Sequence, residues 1–307
     1  MSDFVIKDSP FPLQLARLAD TRNIEECRDV LSRLLELIGL EKHHQEKALG
    51  IFDDVYSLYL GKFKGYKACN TEYHDFRHVI DVTLASLRIT DSLMLNGEKF
   101  SKNNIFLVAI AAIFHDTGYI PEIDDPVENG AVYTSTHVRR SMVFAEKYMS
   151  PKGYSAEDIE KTKQMILLTD LSVKLADIDF FDAETERLAK IIASADLIGQ
   201  MADRIYLEKL LFLYREFEIG NIPFYSSEAD LLTKTIGFFK IMENRLANDL
   251  DGVNAKLILH FQKRYNINED LYRRGMNNNL AYLTKILEEH PGHHREFLRR
   301  DNIVEKL

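Results

Sequence analysis

Apolar residues recur every third or fourth position along almost the whole chain, and Val/Ile-rich alternating runs are missing. The segments IEECRDVLSRLLELIGL (24–40), HVRRSMVFAEKYM (137–149) and RIYLEKLLFLYREF (204–217) each set one apolar stripe against charge. That is the pattern of a helix with one buried face, whereas a strand would need period two. An all-α chain is expected. Turn residues punctuate it at Ser9-Pro10-Phe11-Pro12, at Asn96-Gly97, in PEIDDPVENG (121–130), in SPKG (150–153) and in EIGNIPFYSSEAD (218–230). The expected division is an N-terminal helical extension (1–60), a core (61–220) and a C-terminal helical region packed on that core (221–307).

Charge and cysteine usage narrow the classes of function. A net charge of −9 over 307 residues lacks the basic footprint of a nucleic-acid binder. The two cysteines, Cys27 and Cys69, lie too far apart for a CxxC site and suit a reducing compartment. The longest apolar run, IFLVAIAAIF (105–114), is too short to span a bilayer. The N-terminus lacks a basic start followed by a long apolar run. The expectation is a cytoplasmic protein with no membrane and no nucleic-acid polymer as partner.

Three stretches carry chemistry. In YHDFRHVIDV (73–82), helical spacing stacks His74, His78 and Asp81 on one face. The apolar run 105–114 leads straight into His115-Asp116, a pair costly to bury without partners. It stands where a helix can end, with Gly118 permitting the turn. In AKIIASADLIGQMAD (189–203), Asp196 interrupts a small, apolar face. Two imidazoles and two carboxylates from His78, His115, Asp116 and Asp196 suit a divalent cation such as Mg²⁺, Mn²⁺, Fe²⁺ or Zn²⁺. Water on such an ion loses a proton near neutral pH and becomes a nucleophile.

The order H…HD…D, with HD closing an apolar helix, resembles the HD-domain metal-dependent phosphohydrolases. YHDFRHVIDV is similar to the YHNxxHAxDV signature of their cyclic-nucleotide phosphodiesterase branch. The resemblance covers roughly residues 70 to 215. It implies a helical bundle with the metal site between core helices, and His78, His115, Asp116 and Asp196 as ligands to one or two ions, Asp116 bridging if there are two. It also implies that His74 protonates the leaving oxygen, a role open to a histidine near neutral pH. The chain departs from the signature in carrying Asp75 where the phosphodiesterases have Asn, and in continuing HDTGYIPEIDD after the HD pair. Gln262 is the only glutamine beyond Gln200, so the purine-clamping glutamine of those enzymes has no evident counterpart.

Further candidates surround these. His137, at the start of a helix, serves either a second metal or substrate, or is a helix-start histidine behind the Thr134-Ser135-Thr136 cap. Arg77 and Arg140 are candidates for phosphate, with Arg139 beside them, and Glu128 is a weaker loop candidate. His43-His44 and His293-His294 are expected at the surface. The expected activity is a metal-dependent phosphohydrolase, foremost a phosphodiesterase acting on a small-molecule phosphate ester, a cyclic or other nucleotide. A nucleotide phosphomonoesterase, a di-iron oxygenase and a non-catalytic ligand-binding module of the same fold stand as alternatives, and the oligomeric state is open.

Overall fold

The computed structural model describes residues 14–307, so the Ser9–Pro12 punctuation lies outside the described residues. The described chain is a bundle of α-helices, and its β pairing is the isolated antiparallel bridge of Tyr66 with Glu122. In chain order the helices are α1 (Ile24–Leu37), α2 (Lys42–Tyr59), α3 (Phe76–Leu95), α4 (Lys102–Phe114), α5 (His137–Met149) and α6 (Ala156–Leu167). They continue with α7 (Ala183–Ala202), α8 (Tyr206–Ile219), α9 (Glu228–Asn244), α10 (Leu257–Tyr265) and α11 (Leu271–Glu289). Within the stretch 218–230, residues 220–227 connect α8 to α9, and its two ends belong to those helices.

Local chemistry sets the helix starts. Asn23, Asp75, Ser101, Ser155, Asp182 and Ser227 each accept a hydrogen bond from the backbone N–H three residues ahead. An acceptor there satisfies one of the four N–H groups that a helix start leaves without a partner. The cap at Asp75 corrects one expectation. Because α3 begins at Phe76, His74 precedes the helix and does not share its face with His78 by helical spacing.

The core is built around α4. Every residue from Asn104 to Phe114 is buried, and α4 packs against α2, α3, α5, α6 and α7. A helix surrounded on all sides reads as continuously apolar rather than striped. Beside it α3 and α7 pack closely, and a Cβ added to Gly199 would already touch the Asp81 backbone at 3.4 Å. The C-terminal region joins the same core, with α10 on α3 and α11 on α7. Among the described residues no helix is long and apolar enough to cross a membrane.

The turn after α4 corrects a second expectation. Gly118 does not adopt positive φ. Its hydrogen is required by space, because a Cβ there would stand 1.9 Å from the His137 carbonyl oxygen and 2.7 Å from the Ser141 nitrogen. The glycine lets the His115-Asp116 turn lie directly against the start of α5.

Candidate metal centre

The first turn of α3, the C-terminus of α4 and the inner face of α7 meet at one point. His78 Nε2 lies 3.2 Å from His115 Nε2, 3.3 Å from Asp116 Oδ2 and 3.1 Å from Asp196 Oδ1. His115 Nε2 is 3.3 Å from Asp116 Oδ2 and 3.9 Å from Asp196 Oδ1. His78, His115 and Asp116 form the tight trio, with one donor atom from each within 4.8 Å of the others. Asp196 closes on the two imidazoles and is steadied by the Gln200 amide, which donates to its Oδ1 at 3.3 Å. The four residues that the sequence singled out as ligands therefore come together, from segments as far apart as residues 78 and 196.

The donor set fits a cation. His78, His115 and Asp116 are 4, 1 and 3 % exposed, so little solvent reaches them. Asp116 Oδ2 is buried without a hydrogen-bond partner, and a buried anionic oxygen is costly unless a positive charge faces it. Burial alone would lower the His115 pKa, but Asp116 and then Asp196 outweigh it and push it up to about 9. Burial would likewise raise the Asp116 carboxyl, yet the surrounding imidazoles hold it well below the usual range. The cluster thus draws positive charge inward. A divalent ion meets that demand with ligands of the right kind, and a buried His-His-Asp group can hold one.

The ring orientations follow from what each Nδ1 meets. His115 Nδ1 bonds to the Ala112 carbonyl at 2.8 Å, and His137 Nδ1 to the Thr134 carbonyl at 2.7 Å. Donating Nδ1–H to a carbonyl leaves the Nε2 lone pair free for an ion. His137 Nε2 stands 3.6 Å from Asp116 Oδ1, the oxygen turned away from the tight trio. Thr136, the cap residue of α5, makes no side-chain cap bond, so His137 is held by Thr134 rather than by a Ser/Thr cap. Its burial lowers the ring's pKa, with Asp116 opposing.

His74 reaches the centre from outside the helix. Its ring centroid is 6.0 Å from that of His78 and 6.0 Å from that of His137. Tyr119 stacks against both His74 and His137, with centroids at 4.2 and 4.4 Å. His74 Nδ1 bonds to Glu216 Oε2 at 2.6 Å, while Glu216 Oε1 accepts the Tyr73 backbone N–H at 2.7 Å. Burial would lower the His74 pKa, but Glu216 outweighs it and holds it above the ordinary histidine value.

Sequence reasoning missed Glu216 and Tyr119. Tyr119 stands three residues after Asp116 of the HD pair. Glu216 stands one turn beyond Phe212 on the buried side of α8, and a carboxylate on an apolar stripe is the signal that could have found it. Tyr73 and Gln200, whose side chains bond to each other, complete the support.

The remaining candidates lie elsewhere or are engaged. Arg77 Nε donates to Asp75 Oδ2 at 2.8 Å. Arg140 donates to the Gly118 carbonyl at 2.7 Å and the Ile120 carbonyl at 3.3 Å, and stacks on Tyr133 at 3.6 Å. Both guanidiniums thus brace the fold around the site. Arg139 and Glu128 are exposed. Asp81, expected beside His74 and His78, lies a turn further along α3 at the contact with Gly199. His43 and His293 are at the surface, whereas His44 is half-buried against Phe106 and His294 pairs with Glu228 at 3.1 Å.

The family model described as Npun_R2479-like matches residues 123–246, less than half of the chain. The match includes His137, Asp196 and Glu216 and leaves out His74, His78, His115 and Asp116. No curated protein matches the chain.

Proposed function

We propose that this chain is a metal-dependent phosphohydrolase of the HD type, cleaving a phosphodiester of a cyclic or other nucleotide. The observation that carries the reading is His74. It is the one histidine at the centre whose Nδ1 rests on a carboxylate, Glu216 Oε2 at 2.6 Å. Such a ring is built to carry a proton and to present it at Nε2.

One or two divalent ions, Mg²⁺, Mn²⁺, Fe²⁺ or Zn²⁺, held by His78, His115, Asp116 and Asp196, would polarise the phosphoryl oxygens and acidify a water near neutral pH. The chain's own residues do the rest. His74 Nε2 gives its proton to the departing oxygen as the phosphorus–oxygen bond breaks. Glu216 stabilises the imidazolium before transfer and fixes the ring's tautomer. Tyr119, stacked on the ring at 4.2 Å, holds its plane. Asp116, nearly out of contact with solvent, keeps its charge directed into the centre. A cytoplasmic setting accords with two cysteines that form no disulfide.

The test is hydrolysis by the full chain loaded with each of the four metals, using bis(4-nitrophenyl) phosphate beside 4-nitrophenyl phosphate, then cyclic nucleotides. Cleavage of the diester is expected, and His74→Gln should lower kcat by about 10²–10⁴-fold with metal content unchanged. Preference for the monoester would move the assignment to a nucleotide phosphomonoesterase. A metal-loaded protein inert to both, or a His74→Gln variant as active as the parent, would end the proposal.

A second reading draws on His137, 3.6 Å from the outer oxygen of Asp116. A further imidazole there favours a second ion, and with iron a di-iron oxygenase. Oxygen-dependent turnover with a mixed-valence iron signal would decide for it.

A further inference from the structure

His74 and the four candidate ligands sit on different segments, and the hydrogen bonds of the His74 ring go to Glu216 and Tyr119, not to a ligand. An indirect chain of bonds nevertheless joins His74 to Asp196. It runs through Tyr73 and Gln200, which are neither ligand nor proton carrier.

Gln200 stands one turn after Asp196 on α7, the spacing at which side chains on a helix meet. Its Nε2 donates to the Asp196 backbone carbonyl at 3.1 Å and to Asp196 Oδ1 at 3.3 Å. Oδ1 is the oxygen that lies 3.1 Å from His78 Nε2. Turning the amide over would set Gln200 Oε1 against a carbonyl and a carboxylate, acceptors with no proton to give. Oε1 therefore points the other way, where the Tyr73 hydroxyl donates to it. Asp196 needs such support more than its fellow ligands. Its side chain is 16 % exposed, against 4 % for His78 and Asp116 and 1 % for His115.

Tyr73 is the junction. Its side chain is buried, and burial pushes the hydroxyl pKa well above the ordinary tyrosine value, so the donor proton stays in place. Its backbone N–H donates to Glu216 Oε1 at 2.7 Å, and Glu216 Oε2 meets His74 Nδ1 at 2.6 Å. One residue thus bonds both to the amide that steadies Asp196 and to the carboxylate that holds His74. The two bonds leave from different atoms. Replacing Tyr73 by Phe cuts the first and keeps the second.

Resting on the reading of His74 as proton carrier, we propose that Tyr73 and Gln200 are positioning residues that bind Asp196 and His74 into one unit. Fixing Asp196 by filling the metal centre then also stills the His74 ring. Residues behind a ligand orient it in this way in metal sites generally, and here the same support reaches a proton carrier.

The test uses the metal-stripped full chain and Zn²⁺. Affinity is read by titration against a competing chelator, and the His74 ring by its signal in the nitrogen NMR spectrum of histidine-labelled protein. That signal is identified by its absence from His74→Gln. Losing an outer partner costs ~10–100-fold in metal affinity, so Gln200→Met should weaken Zn²⁺ by that much. In the parent, Zn²⁺ should narrow the His74 signal. In Tyr73→Phe the ion should still bind and the narrowing should be lost, a signature that a merely structural tyrosine would not give. Unchanged affinity in Gln200→Met would overturn the proposal, as would narrowing that is absent from the parent or survives in Tyr73→Phe. A parent that takes up no Zn²⁺ would end this inference and the metal centre together. Turnover enters neither readout, so failure of the phosphohydrolase reading is seen separately.

Discussion

At the scale of single residues, His115 and His137 each commit Nδ1 to a backbone carbonyl and turn Nε2 toward Asp116. His115 makes the clearest case, with Nδ1 on a backbone carbonyl and Nε2 within 3.3 Å of Asp116. His115→Ala should lower retained metal at least tenfold after loading and desalting, read by elemental mass spectrometry, because a ligand matters more than the outer partners whose loss costs ~10–100-fold. Parent-like retention would remove the trio as the metal site. Glu216→Gln tests the proton carrier. Glu216 holds the His74 pKa above the ordinary value, so His74 stays protonated, and able to donate, until the pH rises through that raised value. Removing the carboxylate lowers the pKa, and the alkaline limb of kcat should move to lower pH with metal content unchanged. An unmoved limb would detach His74 from the proton step. The residues of the cluster were legible because histidine and aspartate are conspicuous where the neighbours are apolar, as in IFLVAIAAIFHD. Glu216 was not, because its meaning comes from a partner 142 positions away.

At the scale of elements, period and caps made the helices readable, and the two misreadings both concern termini. Nothing in the spacing of YHDFRHVIDV says that Asp75 will cap α3 and place His74 outside it, since an interior aspartate looks the same in sequence. The role of Gly118 depends on α5 arriving against it, which local sequence does not contain. That contact yields a paired prediction. Gly118→Ala puts a methyl 1.9 Å from the His137 carbonyl oxygen, which is backbone and cannot swing aside. It should cost about 3 kcal/mol or more and reduce metal uptake, because Asp116 and His137 are carried by the two segments forced apart. Gly237→Ala, inside α9, meets nothing within 4 Å. It should leave metal binding untouched and raise stability by up to ~1 kcal/mol through helix propensity and a less flexible unfolded chain. Thermal denaturation of both variants beside the parent distinguishes them, and equal behaviour would refute the close-approach account.

At the scale of the whole molecule, the C-terminal helices are fastened to the core that carries the His-His-Asp cluster by a buried charged group whose pairing spacing alone does not reveal. Asp91 on α3 and His260 on α10 are 2 and 0 % exposed. His260 Nδ1 lies 2.6 Å from Asp91 Oδ2, while Arg264 donates to both oxygens at 3.0 and 2.6 Å. Burial alone would raise the Asp91 carboxyl, but the bonds from His260 and Arg264 outweigh it and hold the pKa below the ordinary value. Its contribution is therefore present above the unfolded carboxyl pKa of about 3.9 and lost as pH falls through the lower folded value. His260 adds an earlier step of the same sign. Burial lowers its pKa more than Asp91 raises it, so from about pH 6.5 downward the unfolded chain takes up a proton that the folded ring resists. The contribution of His260 should fade from neutral pH toward pH 5, and that of Asp91 should fade below pH 4. Asp91→Asn leaves Arg264 and His260 without their carboxylate and should cost about 3–5 kcal/mol at pH 7. Its denaturation midpoint should also lose the drop below pH 4 that depends on the carboxylate. Parent and variant curves running parallel across that range would show that the cluster does not fasten α10 to α3.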